Sequence, residues 1–210
     1  MTISELNKLL GNIDIYLLDQ ILKGRFSKEM KILDAGCGEG RNAVYFINGG
    51  YQIFGIDQNE TAIQYCRYMA KSLDKSYDAH RFQAAGLEDI PFHSEAFDAV
   101  ICSAVLHFAS DDENFWEMMD EMLRVLKPGG ILWFRMTTAF GGIQEESQPL
   151  GGGQYLLPDG SERFLLTQQH VDKLQKIGLV FIENPKSVLV HSQRTMGVFV
   201  MKKLASSEQK

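Results

Sequence analysis

Two short segments carry residues whose types and spacing suit the binding of a nucleoside. The first is Gly36-Cys37-Gly38-Glu39-Gly40, which follows the apolar run Lys31 to Ala35 and opens a predicted helix. Glycines let the backbone pass close beneath a ligand, and free amides at a helix N-terminus attract an anionic group. The second is Asp57, which ends the next predicted strand 21 residues after Gly36. A carboxylate at that position can accept hydrogen bonds from both hydroxyls of a ribose.

The residue at position 41 argues against a dinucleotide ligand. A dinucleotide-binding turn has a further glycine where this chain has Arg41. A nucleoside with a small anionic end therefore fits better than NAD. Arg41 either pairs with that anionic end or is a surface arginine at a helix start.

Further candidate residues lie at and just beyond the end of the fourth predicted strand, at the carboxyl edge where open α/β sheets bind ligands. Ser103 and His107 lie there, and the ordinary pKa of histidine suits a general base at neutral pH. The alternative for His107 is a structural hydrogen bond above the cleft. Phe108 and Trp116 either face a ligand or pack in the core, where aromatic residues at this spacing are more common. The other histidines show no metal-ligand spacing, so no metal is expected.

The elements that must position these residues alternate between strand and helix. Apolar residues at helical spacing follow the first, second and fourth predicted strands. Alternation of this kind implies right-handed crossovers and a mostly parallel sheet with helices on both faces. The predicted strands of this part are 31–35, 51–57, 79–85, 97–105 and 131–136.

The last third departs from this alternation. Residues 137–166 are rich in glycine and proline and predict a long loop, of which 139–166 is the expected substrate lid. Thr167 is the expected N-cap of a helix. Two late strands without an intervening helix must pair as an antiparallel hairpin. The prediction is therefore an α/β fold with a doubly wound, seven-stranded sheet that ends in a C-terminal antiparallel hairpin.

The N-terminal segment predicts a helical cover over residues 1–26. Thr2 and Glu5 form a potential capping box, and apolar residues recur behind it at helical spacing from Leu6 to Ile21. This amphipathic helix lies over a ligand cleft or simply packs on the body. Residues 1–204 are expected to form one domain, followed by a flexible tail at 205–210.

Composition excludes several classes of protein. The 210 residues are 45% hydrophobic and 23% charged, which excludes disordered and fibrous chains. The net charge of −6 disfavours a nucleic-acid partner, because binders of phosphate backbones usually carry a basic face. No apolar run is long enough to span a membrane. Three widely spaced cysteines suggest free thiols in a reducing cytoplasm.

These segments resemble the class I S-adenosylmethionine-dependent methyltransferases, from about residue 30 to residue 138. The run from Ile32 to Gly40 is similar to that family's first motif, and Gly55-Ile56-Asp57 is similar to its second. The run from Gly86 to Phe92 resembles the third motif, whose residues flank the adenine. Phe97 to Val100 and Leu126 to Gly130 resemble the fourth strand and the turn before the fifth.

The resemblance implies a Rossmann-like fold, S-adenosylmethionine as cofactor, and in-line transfer of its methyl group. One departure is Ala85-Gly86, where an acidic residue is common, so the adenine contact falls to Glu88 or to backbone. The segment Gly40-Arg41-Asn42 is similar to a small-molecule branch related to tellurite-resistance methyltransferases. The residues implied to bind the cofactor are Asp34, Gly36, Cys37, Gly38, Arg41, Asp57, Gln58, Gly86, Leu87, Glu88 and Ser103.

The expected acceptor is a small molecule rather than nucleic acid. No Asp/Asn-Pro-Pro-aromatic tetrad of amino-methylating DNA enzymes follows the fourth strand. The lid carries four carboxylates against Arg163, which favours a neutral or cationic acceptor. Two alternatives stay open: a non-catalytic S-adenosylmethionine-binding sensor or scaffold, and an NAD-dependent oxidoreductase. No oligomeric state is predicted.

Overall fold

Five parallel strands form the centre of the protein, which the computed structural model describes over residues 2–205. They lie in the order β3-β2-β1-β4-β5, so the chain winds outward in both directions from β1. Apolar runs such as Ile32-Leu33 make these strands suitable for burial on both faces. The strands are β1 (Lys31–Ala35), β2 (Gln52–Asp57), β3 (Phe82–Ala84), β4 (Phe97–Ser103) and β5 (Leu126–Thr137).

Helices cover both faces of this sheet, as predicted. The second, third and fourth helices pack on one face of the sheet, where Leu17, Phe46 and Cys66 share a hydrophobic cluster with Ile32. The last two pack on the other face through Phe115 and Leu174. The helices are α1 (Ile3–Leu10), α2 (Ile15–Leu22), α3 (Ala43–Asn48), α4 (Glu60–Leu73), α5 (Asp112–Val125) and α6 (Gln168–Lys176). None of the described helices is long and apolar enough to cross a membrane.

The segment between β5 and α6 is not the predicted long loop. It forms a three-stranded antiparallel sheet, with strands β6 (Gln148–Gly151), β7 (Gln154–Leu156) and β8 (Glu162–Phe164). Its own small core contains Ile143, Leu157 and Leu165. The glycines that indicate a loop in the sequence instead form the tight β6–β7 turn, where Gly151 to Gly153 all have positive φ.

The predicted C-terminal hairpin is confirmed, and one strand is added to it. β11 (Arg194–Lys203) runs antiparallel to β5, and β10 (Lys186–Val190) pairs antiparallel with β11. β9 (Leu179–Phe181) pairs with β11 at residues 201–203, so the sheet has eight strands rather than seven. β9 and β10 share one edge of β11 and are separated by a segment containing Pro185, which has no amide hydrogen to donate.

The N-terminal cover is two helices rather than the single helix predicted. Thr2 and Glu5 form the expected capping box, with bonds of 2.6 Å and 3.2 Å. The helix then ends at Gly11, whose φ is 61° and whose missing Cβ would lie 2.9 Å from that of Val44. Asp14 caps the second helix by accepting from the Tyr16 amide at 2.9 Å. Of the predicted tail 205–210, residues 206–210 lie outside the part of the chain that is described.

We expect Gly11→Ala to destabilise the protein more than the control Gly24→Ala. Both glycines have positive φ, but a Cβ at Gly24 would meet nothing within 4 Å. The difference therefore isolates overpacking against Val44, which typically costs about 1–3 kcal/mol. Urea unfolding of both variants gives the two free energies of unfolding. Equal losses would show that Val44 moves aside freely.

Candidate functional site

A cleft of about 810 Å³ opens at the carboxyl ends of β1, β2 and β4. Because β2 and β4 lie on opposite sides of β1, this edge of the sheet is the switch point where open α/β sheets bind ligands. Ten of the residues predicted to bind a cofactor line it. They are Gly36, Cys37, Gly38, Arg41, Asp57, Gln58, Gly86, Leu87, Glu88 and Ser103.

The glycine turn after β1 forms the floor of the cleft. Gly36, Gly38 and Gly40 have φ values of 77°, 53° and 80°, which only glycine adopts without strain. The amides of Gly36 and Cys37 both donate to the Ile56 carbonyl, at 2.9 Å and 2.8 Å. These bonds fix the turn against the end of β2. A Cβ at Gly38 would meet nothing within 4 Å, so the backbone there is open to a ligand.

Asp57 lies beside this turn, as its predicted role requires. Its Oδ2 accepts from the Gly38 amide at 2.8 Å, and its Oδ1 accepts from the Asn59 amide at 2.9 Å. A carboxylate has about four acceptor sites in all. Asp57 therefore keeps capacity for further donors on the side that faces the cleft.

Asp34 is the one predicted cofactor residue that does not line the cleft. It is fully buried on β1, and both of its carboxylate oxygens lack a hydrogen-bond partner within residues 2–205. Burial raises its pKa to about 7, while Arg41 acts in the opposite direction and Asp57 in the same one. A buried carboxyl without a partner is costly. A cationic or hydrogen-bond-donating group of a ligand bound above the turn would provide that partner.

Arg41 and Ser103 meet in a polar cluster that the N-terminal cover completes. Arg41 Nη2 donates to Ser103 Oγ at 2.9 Å and lies 3.5 Å from Asp14 Oδ2. The same Asp14 oxygen accepts from Ser103 Oγ at 3.1 Å and from Arg135 Nη1 at 3.2 Å. The Asp14 amide donates to Asn42 Oδ1 at 3.0 Å. Asp14 thus attaches the N-terminal cover to the site.

The opposite wall of the cleft contains the segment after β3. Glu88 Oε1 accepts from Asn114 Nδ2 at 3.0 Å, and Glu88 Oε2 lies 2.6 Å from the position that a Cβ on Gly86 would take. The absence of a side chain at Gly86 therefore makes room for the Glu88 carboxylate. Asn114 and Met118 of α5 also line this wall, although neither is among the predicted site residues.

Asp14 and Asn12 are further site residues that are absent from the sequence predictions. The position of Asp14 before an apolar helical run is a recognisable N-cap signal. Its contact with Arg135 spans 121 residues of the chain, however, and no local pattern indicates that pairing.

His107 and Phe108 lie beyond the end of β4 but differ in surroundings. His107 is 7% exposed, does not line the cleft, and its Nδ1 lacks a partner among the described residues. Burial is the largest cause that lowers its pKa, to about 3, so the side chain is neutral and weakly basic at pH 7. Phe108 is 60% exposed and does line the cleft. Trp116 instead packs in the core, stacked on His170.

No group of three or more histidine, cysteine or acidic side chains is placed to hold a metal ion within residues 2–205. Cys37, Cys66 and Cys102 are all buried free thiols. Burial raises the pKa of the Cys102 thiol, whereas the pKa of the Cys37 thiol is raised first by its hydrogen bond with Cys66 and then by burial. Thiols of this kind pack as apolar groups and are poor nucleophiles.

The fold and the cleft define a Rossmann-like domain that binds a nucleoside cofactor at its sheet switch point. The methyltransferase domain family matches residues 33–134, which include the glycine turn, Asp57 and Ser103. A solved S-adenosylmethionine-dependent methyltransferase from Methanosarcina mazei has the same fold. It superposes with a TM-score of 0.70 and 22% identity, covering 89% of this chain and 98% of that one. Residues 33–134 therefore match a methyltransferase domain, and the fold is that of S-adenosylmethionine-dependent methyltransferases, which supports S-adenosylmethionine as the cofactor.

Curated relatives match half of the chain or somewhat more. An uncharacterized methyltransferase, YodH, of Bacillus subtilis is 32% identical over 106 residues, or 50% of this chain and 42% of YodH. The tRNA 5-carboxymethoxyuridine methyltransferase of Escherichia coli is 28% identical over 125 residues, or 59% of this chain and 46% of that protein. The chain therefore spans less than half the length of these relatives. The narrower resemblance to the tellurite-resistance branch stays a prediction.

We expect the stability of the protein to depend on the ionisation of Asp34. Because its folded pKa of about 7 exceeds the ordinary aspartate pKa of 3.8, the folded state binds the proton more tightly than the unfolded state. Stability therefore falls as pH rises from about 4 to about 7, by at most about 1.4 kcal/mol per pH unit. Asp34→Asn removes this dependence.

Urea unfolding of the wild type and of Asp34→Asn at pH 5, 6, 7 and 8 measures the effect. The free energy of unfolding of the variant, relative to the wild type, should increase by about 3 kcal/mol from pH 5 to pH 8. Asp120→Asn, at an exposed position on α5, serves as the control and should follow the wild type. Parallel curves for wild type and Asp34→Asn would contradict the buried ionisation.

Proposed function

We propose that this protein transfers a methyl group from S-adenosylmethionine to a small-molecule acceptor. The observation that supports this most directly is the contact between the Gly36–Gly40 turn and Asp57, with the unpartnered Asp34 carboxyl beneath it. In that arrangement Asp57 can accept hydrogen bonds from a ribose, and Asp34 can pair with the cationic group of an amino acid moiety. The fold alone would permit other chemistry, because one fold serves many functions.

The residues of the cleft divide between the parts of the cofactor. We assign the ribose hydroxyls to Asp57, with Gln58 beside it. The methionine moiety belongs over Gly36, Cys37 and Gly38, with its amino group toward Asp34 and its carboxylate toward Arg41. The adenine belongs between the segment Gly86-Leu87-Glu88 and the end of β2. Ser103 holds Arg41 in position, since Ser103 Oγ accepts from it at 2.9 Å.

The chemistry is an in-line displacement, for which the bound cofactor supplies an electrophilic methyl group on its sulfonium. The protein contributes alignment, because holding two reactants in attack geometry lowers a barrier by about 7–11 kcal/mol. Phe108 and the segment from Ser103 to Val105 line the cleft beyond β4, where the acceptor would approach. We do not assign a general base to His107, because a buried imidazole off the cleft lining with a pKa of about 3 is a weak proton acceptor.

A small-molecule acceptor fits the cleft better than a nucleic acid. The chain has a net charge of −6, and Glu39, Asp57 and Glu88 line the cleft. A nucleic acid would meet these carboxylates with its phosphates, which is unfavourable. One matched relative is named as a tRNA methyltransferase, so tRNA is the acceptor class to test against.

We further propose one domain over residues 1–204, with residues 1–26 as a cover and 139–166 as a lid. Asp14 connects the cover to Arg41 and Ser103, and the lid carries its own small core. Both segments therefore lie where they can shield the transfer from water. The three free thiols suit a reducing cytoplasm as the location.

We expect Asp57→Ala to weaken binding of S-adenosylhomocysteine at least tenfold, because hydrogen bonds to a charged group contribute about 1.5–3 kcal/mol each. Isothermal titration calorimetry measures the dissociation constant. Asp120→Ala, an exposed acidic residue away from the cleft, is the matched control and should bind as the wild type does. An unchanged constant for a folded Asp57→Ala would remove Asp57 from the site.

The same protein tests catalysis against the non-catalytic alternative. Release of S-adenosylhomocysteine from S-adenosylmethionine is followed with a panel of small acceptors and with total tRNA. Turnover with a small molecule and none with tRNA is the expected result. Tight cofactor binding without turnover on any acceptor would favour a sensor or scaffold, and turnover on tRNA alone would overturn the small-molecule acceptor.

A further inference from the structure

Three arginines from three separate elements act electrostatically on the buried His107, which follows the carboxyl end of β4. Arg135 comes from β5, Arg163 from β8 of the lid sheet, and Arg194 from the start of β11. We call these three residues the arginine cluster. Arg135 and Arg194 lie outside the lid segment 139–166. The charged residues of the lid alone therefore do not give the charge of this region.

Arg163 and Phe108 join the cluster to the cleft. The Arg163 guanidinium carbon lies 4.8 Å from the centre of the Phe108 ring, and that ring lies 4.6 Å from the ring of His107. Phe108 is exposed and lines the cleft. Arg163 of the lid therefore lies over the apolar ring of Phe108, at the end of the cleft where an acceptor would enter.

Arg135 lies on the border between this region and the cofactor residues. It is the neighbour of Ser103 in the β4–β5 register, and its carbonyl accepts from the Ala104 amide at 2.7 Å. Its guanidinium lies 5.5 Å from the centre of the Tyr16 ring and shares Asp14 with Ser103. A ligand held by Arg135 would therefore lie next to the proposed cofactor.

Several buried polar atoms around the cluster lack a hydrogen-bond partner within the described chain. Thr138 and Thr195 are 0% and 1% exposed and are joined by a 3.0 Å backbone hydrogen bond. Unpaired buried polar groups are rare in folded proteins, and each requires an explanation such as a ligand. The atoms are His107 Nδ1, Arg135 Nε, Thr138 Oγ1, Arg194 Nε and Thr195 Oγ1.

The ion pairs of the arginine cluster leave the region with a net positive charge, which suits an anion. Asp14 lies 3.2 Å from Arg135, and Asp159 lies 3.2 Å from Arg194, so two of the three positive charges have a carboxylate partner. His107 is neutral, because burial and then the three guanidiniums lower its pKa to about 3. Arg163 has no ion-pair partner among the described residues, and Asp14 is shared between Arg135 and Arg41, so the region keeps a net positive charge.

We propose that the arginine cluster binds a carboxylate of the methyl acceptor, so that the acceptor is a small carboxylic acid. This inference rests on the proposed function and replaces the neutral or cationic acceptor expected from the lid residues. Guanidinium groups match carboxylates in planar, bidentate geometry, and Phe108 offers a surface for the remainder of the molecule. Inorganic phosphate has no apolar portion to contact Phe108, so it suits the site less well.

Paired probes test this proposal without knowledge of the natural acceptor. Benzoate and phenylacetate are compared with their amides, benzamide and phenylacetamide, on protein saturated with S-adenosylhomocysteine. Ligand-observed NMR titration gives the dissociation constants, and inorganic phosphate is titrated in parallel. We expect at least one acid to bind at least tenfold more tightly than its amide, and phosphate to bind more weakly than that acid.

Arg163→Gln and Arg194→Gln should each reduce the preference for acid over amide at least fivefold. Lys202→Gln removes one positive charge at an exposed position of β11 and should leave the preference unchanged. Arg135 is left intact because it also holds Asp14. Binding of S-adenosylhomocysteine should be the same in all four proteins.

Equal binding of acids and amides, no binding of either, or tighter binding of phosphate would overturn the proposal while the proposed function stands. The same holds if the acid preference survives both arginine substitutions. Failure of the wild type to bind S-adenosylhomocysteine would instead overturn the proposed function, and this inference with it.

Discussion

The attachment of the glycine turn to the end of β2 is the constraint on which the cleft depends. Three amides in succession, those of Gly36, Cys37 and Gly38, donate to Ile56 and Asp57. A backbone with positive φ at alternate residues satisfies these bonds only because glycine stands at each such position. The turn therefore holds the Asp57 carboxylate at the edge of the cleft, and Asp34 stays buried beneath the turn.

A second constraint connects the N-terminal helices to this site through Asp14. One oxygen of Asp14 contacts Arg41, Ser103 and Arg135, which belong to three different elements of the fold. The carboxylate is 3% exposed, so its charge requires these partners. The N-terminal cover thus contributes a charged group to the centre of the molecule, although α1 itself has no buried residue.

Local patterns predicted the parallel sheet, the glycine turn and Asp57, because strand, turn and carboxylate follow one another within short spans of sequence. The resemblance to the methyltransferase family implied others of the ten predicted residues that line the cleft, such as Glu88. Local patterns did not predict the contacts between segments that are distant in sequence. The Asp14 cluster and the arginine cluster depend on pairs such as Arg135 with Asp14 that no periodicity indicates. The lid sheet was missed for a different reason. Runs of glycine mark both loops and tight hairpin turns, and only side-chain packing around Ile143 distinguishes the two.

The lid sheet leaves and rejoins the central sheet at adjacent points. Thr137 Oγ1 donates to the Phe164 carbonyl at 2.8 Å, and the amides of Ala139 and Leu166 donate across the same junction at 2.9 Å and 3.2 Å. Since the two ends of the insertion are already joined to each other, its interior can lengthen, shorten or be exchanged while β5 and β11 stay paired. Variation within this insertion can therefore reshape the surface beside the cleft without rebuilding the sheet that carries the glycine turn and Asp57.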